Sequence, residues 1–551
     1  LNLQIKRGLL FGLLLSCLLL TGCQGAAAAR GPAAPEQSAA EDPAQEATAS
    51  PEEPESKLPT TQPRKANAQR QGSFFEAERL PEAYQNTEYL DLAPSQIINE
   101  IPASYARFGM DADRQAALEE EWASDKTFPI LSISTKEAEE ILSREIYVSC
   151  VVDVFNCPEQ MQIREASAGI RVRGNASAYY GDVEQMRANP VPYRIKFDKK
   201  TNLLGLNQGG ACKSWVLLKV LEDLVKDDLC LRLGRAIVEE PVYCTDTQMV
   251  YVYVNGVCKG LYLLCGQNQV NKHRVNISEP ESGYPGTDIG YYVELDQYGL
   301  QEDKPAFLVD YGGYTVTDLE GDTYSFVPSP YSIKSDVYTQ GQVDFISNYI
   351  QGVFTIVYEA CEQGNYLTFD ENYHLVQSDY GSAQEAIGAV MDLPSVVNMY
   401  LLYELVHDYD CGEGSFFMCV DFDQSVAEPR LQFTSPWDFS WTLSGDTERY
   451  WAAAFGEEKF IREEGDRANP WFVVLAKQDW FRTLAAERWA ALRANDAISR
   501  CLEEETRLLE EHAADFNGVF PDATEKAQKP MNWLRNRIDW MNRAFVPDEV
   551  G

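Results

Sequence analysis

Glu145-Ile-Tyr-Val-Ser-Cys-Val-Val-Asp-Val alternates with a period of two, and so do Gly169-Ile-Arg-Val-Arg-Gly and Tyr193-Arg-Ile-Lys-Phe. In an extended strand, residues two apart share one face, so such runs bury one side and leave the other for polar groups. Shorter runs at Pro129–Ser134 and Trp215–Leu218 add strands. Gln248–Val254 and Gly260–Leu264 flank Asn255-Gly256, a hairpin turn signal. Residues 222–238 place Leu229, Leu233 and Ile237 on one helical face. Residues 129–260 therefore predict a mixed, strand-rich lobe.

Beyond it the pattern changes. Residues 267–380 are rich in Tyr, Gly and Asp with weak periodicity, and predict short strands with long insertions, arranged as a lid. Ser395 is an expected N-cap for a helix from Val396 to about His407. Two short strands follow, Phe416–Val420 and Arg430–Phe433, and then Pro436-Trp437-Asp438-Phe439. Leu534, Ile538, Met541 and Phe545 keep helical spacing near the C-terminus. The expected fold class is α+β, with a β-rich N-terminal lobe and a more helical C-terminal lobe. The length from Phe74 onward is large for one core, which suggests one elaborate domain over 129–545 with an N-terminal extension over 74–128.

Lys6 and Arg7 precede an apolar run from Gly8 to Leu20, too short to span a bilayer comfortably and matching a signal-peptide core. Leu20-Thr21-Gly22-Cys23 resembles the bacterial lipobox, with residues 1–22 removed and Cys23 lipidated. Residues 23–73 are dominated by Ala, Pro, Glu, Gln and Ser and lack the apolar surface to fold, so they are expected to tether the folded part to the outer face of a membrane. Two or three acyl chains would anchor it stably. Cys23→Ala is expected to move the protein into the soluble fraction or stall its processing; normal processing with tight membrane retention would contradict the anchor.

Eleven cysteines follow Cys23, an odd number for an oxidised scaffold. Most, including Cys230, Cys244, Cys258, Cys265 and Cys419, sit among apolar residues, as small core hydrophobes do. Four scattered histidines and the absence of a C-x-x-C pair argue against zinc. The net charge of −38 repels nucleic acid. It also repels ATP unless a divalent cation and local basic groups reverse the field.

The chemistry-bearing pattern is two acidic loops, Asp408-Tyr409-Asp410 and the one at Asp438, on either side of a short hairpin. Phosphoryl transfer needs one carboxylate to orient the attacking hydroxyl and another to hold the metal, and protein kinases supply these from two loops in that chain order.

Several segments, taken in order, resemble the CotH family of spore-coat protein kinases. They are Arg173-Gly174-Asn175-Ala176-Ser177, Tyr193–Phe197, Trp215–Leu218, Asp227…Arg232, Val254-Asn255-Gly256…Gly260-Leu261-Tyr262, Tyr292-Val293-Glu294-Leu295-Asp296, the Asp410 loop and Pro436-Trp437-Asp438. The resemblance covers residues 129–545 and implies a two-lobed, atypical protein-kinase-like fold. It implies that Asp410 is the catalytic aspartate and Asp438 the metal ligand, with Ser415 as a second, weaker one. It further implies Mg²⁺ or Mn²⁺ with ATP, Tyr292 and Trp437 against the adenine, and Arg232 or Lys196 near phosphate. The implied partner is a protein substrate on the cell surface or in the envelope. The chain departs from the family where Asn189-Pro190-Val191-Pro192 replaces a Lys-Lys pair, leaving Arg194, Lys196 or Lys213 to supply charge. It departs again at Gly266 (usually Glu), Ser415 (Asn in some members) and Ser440 (usually Asp). These departures set a second reading beside the first: a catalytically weak or inactive envelope lipoprotein that binds or organises other proteins.

Overall fold

The computed structural model describes residues 88–91 and 112–546, except 221–224, 302, 303, 312, 327, 409, 424, 427 and 454–468. Cys23, the signal segment, the tether and most of the 74–128 extension lie outside the described residues. No helix among the described residues is long and apolar enough to cross a membrane.

After helix α1 (Ala112–Ala123) come β1 (Ile130–Thr135), β2 (Val148–Phe155), β3 (Ile163–Val172), β4 (Tyr193–Thr201) and β5 (Cys212–Lys219). Helix α2 (Lys226–Ile237), β6 (Thr247–Val254) and β7 (Val257–Gly266) follow. The seven strands close into a barrel, ordered β1-β2-β3-β4-β5-β7-β6, with β6 returning parallel to β1. The period-two alternation fills its interior. Leu131, Ile133, Val152, Val154, Ile170, Val172, Ile195, Trp215, Leu217, Val252 and Leu264 form one buried cluster. Asn255 (φ 50°) and Gly256 (φ 78°) both take the left-handed conformation that a two-residue hairpin turn requires.

Next come β8 (Gly290–Leu295), β9 (Ala306–Val309), the hairpin β10–β11 (Thr315–Thr317, Thr323–Ser325) and β12 (Ser329–Ile333). Helix α3 (Gln340–Tyr358), the hairpin β13–β14 (Leu367–Phe369, Leu375–Gln377), α4 (Ala383–Val390), α5 (Leu393–Val406), β15 (Phe416–Asp421) and β16 (Gln432–Thr434) complete this part. An antiparallel sheet runs β16-β15-β8-β12-β9. Its alternate residues Tyr291, Val293, Leu295, Met418, Tyr331 and Ile333 join the main core with the helices. Its other face carries Tyr292, Phe417 and Cys419, which join Val216 and Cys265 from the outside of the barrel and Trp437 in a small separate core. The C-terminal helices α6 (Asp479–Ala494), α7 (Ala497–Glu511) and α8 (Ala523–Ala544) cover the main core. The arrangement is thus mixed α and β, with sheets first and helices concentrated toward the C-terminus.

Two expectations are corrected. Residues 267–380 are not merely short strands with insertions: they hold α3, a 19-residue helix closed by a capping box in which Thr339 and Gln342 bond each other's backbone N–H. Helix α5 is capped three residues before Ser395: Asp392 is its N-cap, accepting from the Ser395 N–H at 3.2 Å, with Pro394 in the first turn. The Ser395 hydroxyl instead accepts from the Phe433 N–H at 3.1 Å, tying the helix to β16. All eleven cysteines among the described residues are free thiols; Cys230, Cys265 and Cys419 are buried, whereas Cys258 is exposed on the β6–β7 hairpin.

Candidate functional site

Helix α5 is buried on every side from Ser395 to Val406, as a central helix must be to be apolar all round. Its one carboxylate, Glu404, lies 2.7 Å from Arg537 of α8, and both side chains are fully buried. Glu404 also accepts from the N–H groups of Trp451 and Ala452, and Arg537 donates to the carbonyls of Glu404, Thr447 and Arg449. Trp451 donates from its indole to the Asp408 carbonyl at 3.1 Å and stacks on His407, the left-handed residue that ends α5. The acidic loop is therefore pinned at its base before any functional side chain appears.

Asp408 then folds back, its carboxylate accepting from the Asp410 N–H at 2.9 Å, while the Asp410 carbonyl accepts from the N–H groups of Glu413 and Gly414. Asp408 is buried and Asp410 half-buried. Across the hairpin, Asp438 is exposed between buried Trp437 and Phe439. Its φ of 66° is left-handed, a strained state for a non-glycine residue that costs roughly 1–3 kcal/mol and persists only where surroundings enforce it. Here the Phe439 N–H donates to Asp227 in the first turn of α2 at 3.1 Å. The Asp438 carboxylate accepts from Ser440 at 3.0 Å and from Ser415 at 3.5 Å. Burial first, then the charges of Asp410, Asp438 and Asp227, push the Asp408 carboxyl well above its ordinary pKa, although the Asp410 N–H bond opposes this. Both sequence-predicted aspartates thus act on one buried carboxylate, joined by Asp227, which sequence reasoning gave no role.

A basic strip lies on the outer barrel wall. Arg171 of β3 pairs directly with Arg194 of β4, which pairs with Val216 of β5, which pairs with Cys265 of β7. Arg274 is 3% exposed and donates to the Ser214 and Gln267 carbonyls at 2.7 and 2.8 Å, with its guanidinium over the Trp215 ring. Arg173 sits over Trp437, 5.4 Å from the ring centroid. Burial first, then the charges of Arg171, Arg173 and Arg274, push the Arg194 guanidinium below its ordinary pKa, although Tyr147 opposes this. Among the described residues, none of these four arginines forms an ion pair. Lys196 is half-buried two residues further along β4, on the same outer side.

The remaining predicted residues have other employment. Tyr292 is fully buried and stacks on Phe417 at 5.4 Å, and Trp437 is 5% exposed beneath Arg173. Both are packed as core aromatics here. Arg232 is held by Asp228 and Glu504, each at 3.1 Å, and by Glu505 at 3.5 Å, which assigns it to the junction of α2 and α7. Arg274 carried no sequence signal, since neither periodicity nor motif marks it.

Gly266 has a local cause. A Cβ there would lie 2.5 Å from the Tyr243 hydroxyl and 2.8 Å from the Asn207 amide nitrogen, and the Gly266 N–H already donates to Thr245 at 2.7 Å. Gly266→Glu is expected to destabilise the chain by about 1–3 kcal/mol, the usual cost of overpacking. Unchanged urea midpoints would contradict this.

A nucleotide-bound Mg²⁺ takes one or two carboxylates and draws its other ligands from phosphate and water. Asp438 with Ser415 fits such a shared site. Among the described residues no group of three His, Cys, Asp or Glu side chains is arranged to hold a metal by itself. Compared with protein-family models and with curated proteins, the chain finds no match.

Proposed function

We propose that this chain is an atypical, CotH-type protein kinase, lipid-anchored through Cys23, that transfers the γ-phosphate of ATP to a hydroxyl side chain of an exported or envelope protein. One observation carries the reading: the two acidic loops that flank one hairpin are tied together, Asp410 by its N–H to the buried Asp408 carboxylate and Asp438 by the Ser415 hydroxyl at 3.5 Å, and both aspartates bear on Asp408. In this reading the fold is kinase-like, with a β-rich lobe and a helical lobe. Asp410, held by its N–H bond to Asp408, orients the acceptor hydroxyl and takes its proton. Asp438 and Ser415 hold the divalent cation, which when bound neutralises charge on the phosphate oxygens. Asp438 takes its left-handed backbone conformation between two buried aromatics, and its own side chain is exposed. The test is transfer of radiolabelled γ-phosphate by the full chain in detergent, with Mg²⁺ and Mn²⁺ compared. Metal-dependent autophosphorylation or labelling of an envelope protein supports the reading.

The second reading, an inactive member acting as a binding module, has its own observation. Both Asp438 oxygens already accept seryl hydroxyls, and Ser440 stands where a further carboxylate would strengthen a metal site. Nucleotide binding without transfer would favour it.

A further inference from the structure

We propose that Arg173, Arg194 and Arg274 form a polyphosphate-binding cradle on the outer barrel wall, taking over the work of the absent Lys-Lys pair. The nucleotide as its occupant rests on the phosphoryl-transfer reading; the anion site does not.

The argument begins with what the cluster lacks. The chain carries 85 acidic residues against 47 basic ones, so carboxylate partners are abundant. Yet no acidic side chain pairs with these arginines among the described residues. Like charges directly opposite across a sheet destabilise it, and Arg171 stands directly opposite Arg194. Arg171 turns to the Arg144 and Val172 carbonyls and lies near the Tyr147 ring, which leaves Arg194 to the cluster. The Nε atoms of Arg194 and of Arg274 are both buried without a hydrogen-bond partner. A buried charged donor without an acceptor is costly, and its natural complement is an anion that brings several acceptor oxygens.

Position then selects the anion. Val216 and Cys265, beside Arg194 in the strand register, belong to the small core that also holds Trp437, the neighbour of Asp438. Burial first raises the pKa of the Cys265 thiol, and the charges of Arg173, Asp227, Arg274 and Asp228 all reach it, the arginines lowering it and the aspartates raising it. Basic strip and acidic loops therefore meet around this core. A ligand reaching both needs several negative oxygens toward the arginines and a metal toward the aspartates, which describes a metal-bound polyphosphate. Guanidinium forks suit phosphate oxygens in pairs, and such charge-assisted bonds are among the stronger hydrogen bonds in proteins.

The experiment is calorimetric titration of the full chain in detergent with sodium tripolyphosphate, without metal, and separately with Mg²⁺–ATP. Wild type should bind tripolyphosphate with an affinity that falls as salt rises. Arg173→Gln and Arg194→Gln should each weaken it by about tenfold, equal to about 1.4 kcal/mol. Arg173 is half-buried and, among the described residues, its side chain makes only the ring contact, so its variant should keep the wild-type unfolding midpoint even if Arg194→Gln does not. Failure of wild type to bind tripolyphosphate, or equal binding by wild type and a normally folded Arg173→Gln, overturns the cradle. Transfer activity persisting unchanged in both arginine variants overturns the cradle and leaves the kinase reading standing. Arginine-dependent tripolyphosphate binding with no Mg²⁺–ATP binding upholds the anion site and removes the kinase reading.

Discussion

Asp410→Ala is expected to lower phosphoryl transfer by about 10²–10⁴-fold while sparing nucleotide affinity, whereas Asp438→Ala removes metal-supported affinity itself. The difference follows from when each side chain acts. Asp410 meets the acceptor hydroxyl, so its contribution is made on the way to the transition state and lowers kcat rather than binding. Asp438 holds the cation in the ground state. Neither replacement should unfold the chain. Asp410 is half-buried and Asp438 exposed, and alanine at 438 keeps the buried anchors Trp437 and Phe439. Titration of ATP with Mg²⁺ beside single-turnover transfer separates the two effects. Equal losses of binding in both variants would contradict the assigned division of roles.

The largest stability effect is expected at Glu404 and Arg537. Both side chains have no exposure, and their carboxylate–guanidinium contact is 2.7 Å. Removing either partner leaves the other charge buried and unpaired, which costs about 3–5 kcal/mol. Arg537→Met also strips the Thr447 and Arg449 carbonyls of their donor, and Glu404→Leu strips Trp451 and Ala452 of their acceptor. Replacing both residues together therefore should not restore stability, because the backbone partners stay unmet. The Glu404→Leu change should reach the site as well, since Trp451 anchors the Asp408 carbonyl. Urea unfolding of each variant reads the loss; a change below about 1 kcal/mol would place the pair among surface-like ion pairs and contradict its burial.

The strands were legible because their alternation is local: Tyr193, Ile195 and Phe197 face the barrel interior while Arg194 and Lys196 face out. Closure of that barrel was not legible. It depends on β1 pairing in parallel with β6, more than a hundred residues away, and no local pattern encodes such a contact. Helix α3 was not legible although Thr339 and Gln342 have capping-box spacing, because the tyrosines and glycines around it resemble a loop composition. At the site, Asp410 and Asp438 stand out by their loops, whereas Asp408 and Asp227 gain importance only through the tertiary fold that brings them together. Tyr292 and Arg232 illustrate the limit for single residues. A tyrosine suited to a purine is equally suited to stack on Phe417, and an arginine suited to phosphate is equally suited to three carboxylates.

The central claim is that the two acidic loops hold a metal-bound nucleotide. Calorimetric titration of Mg²⁺–ATP into the full-length wild type and Asp438→Ala tests it most directly. The account predicts saturable, metal-dependent binding by wild type that the variant loses. Absence of Mg²⁺–ATP binding by wild type at millimolar nucleotide, or undiminished binding by Asp438→Ala, would contradict it.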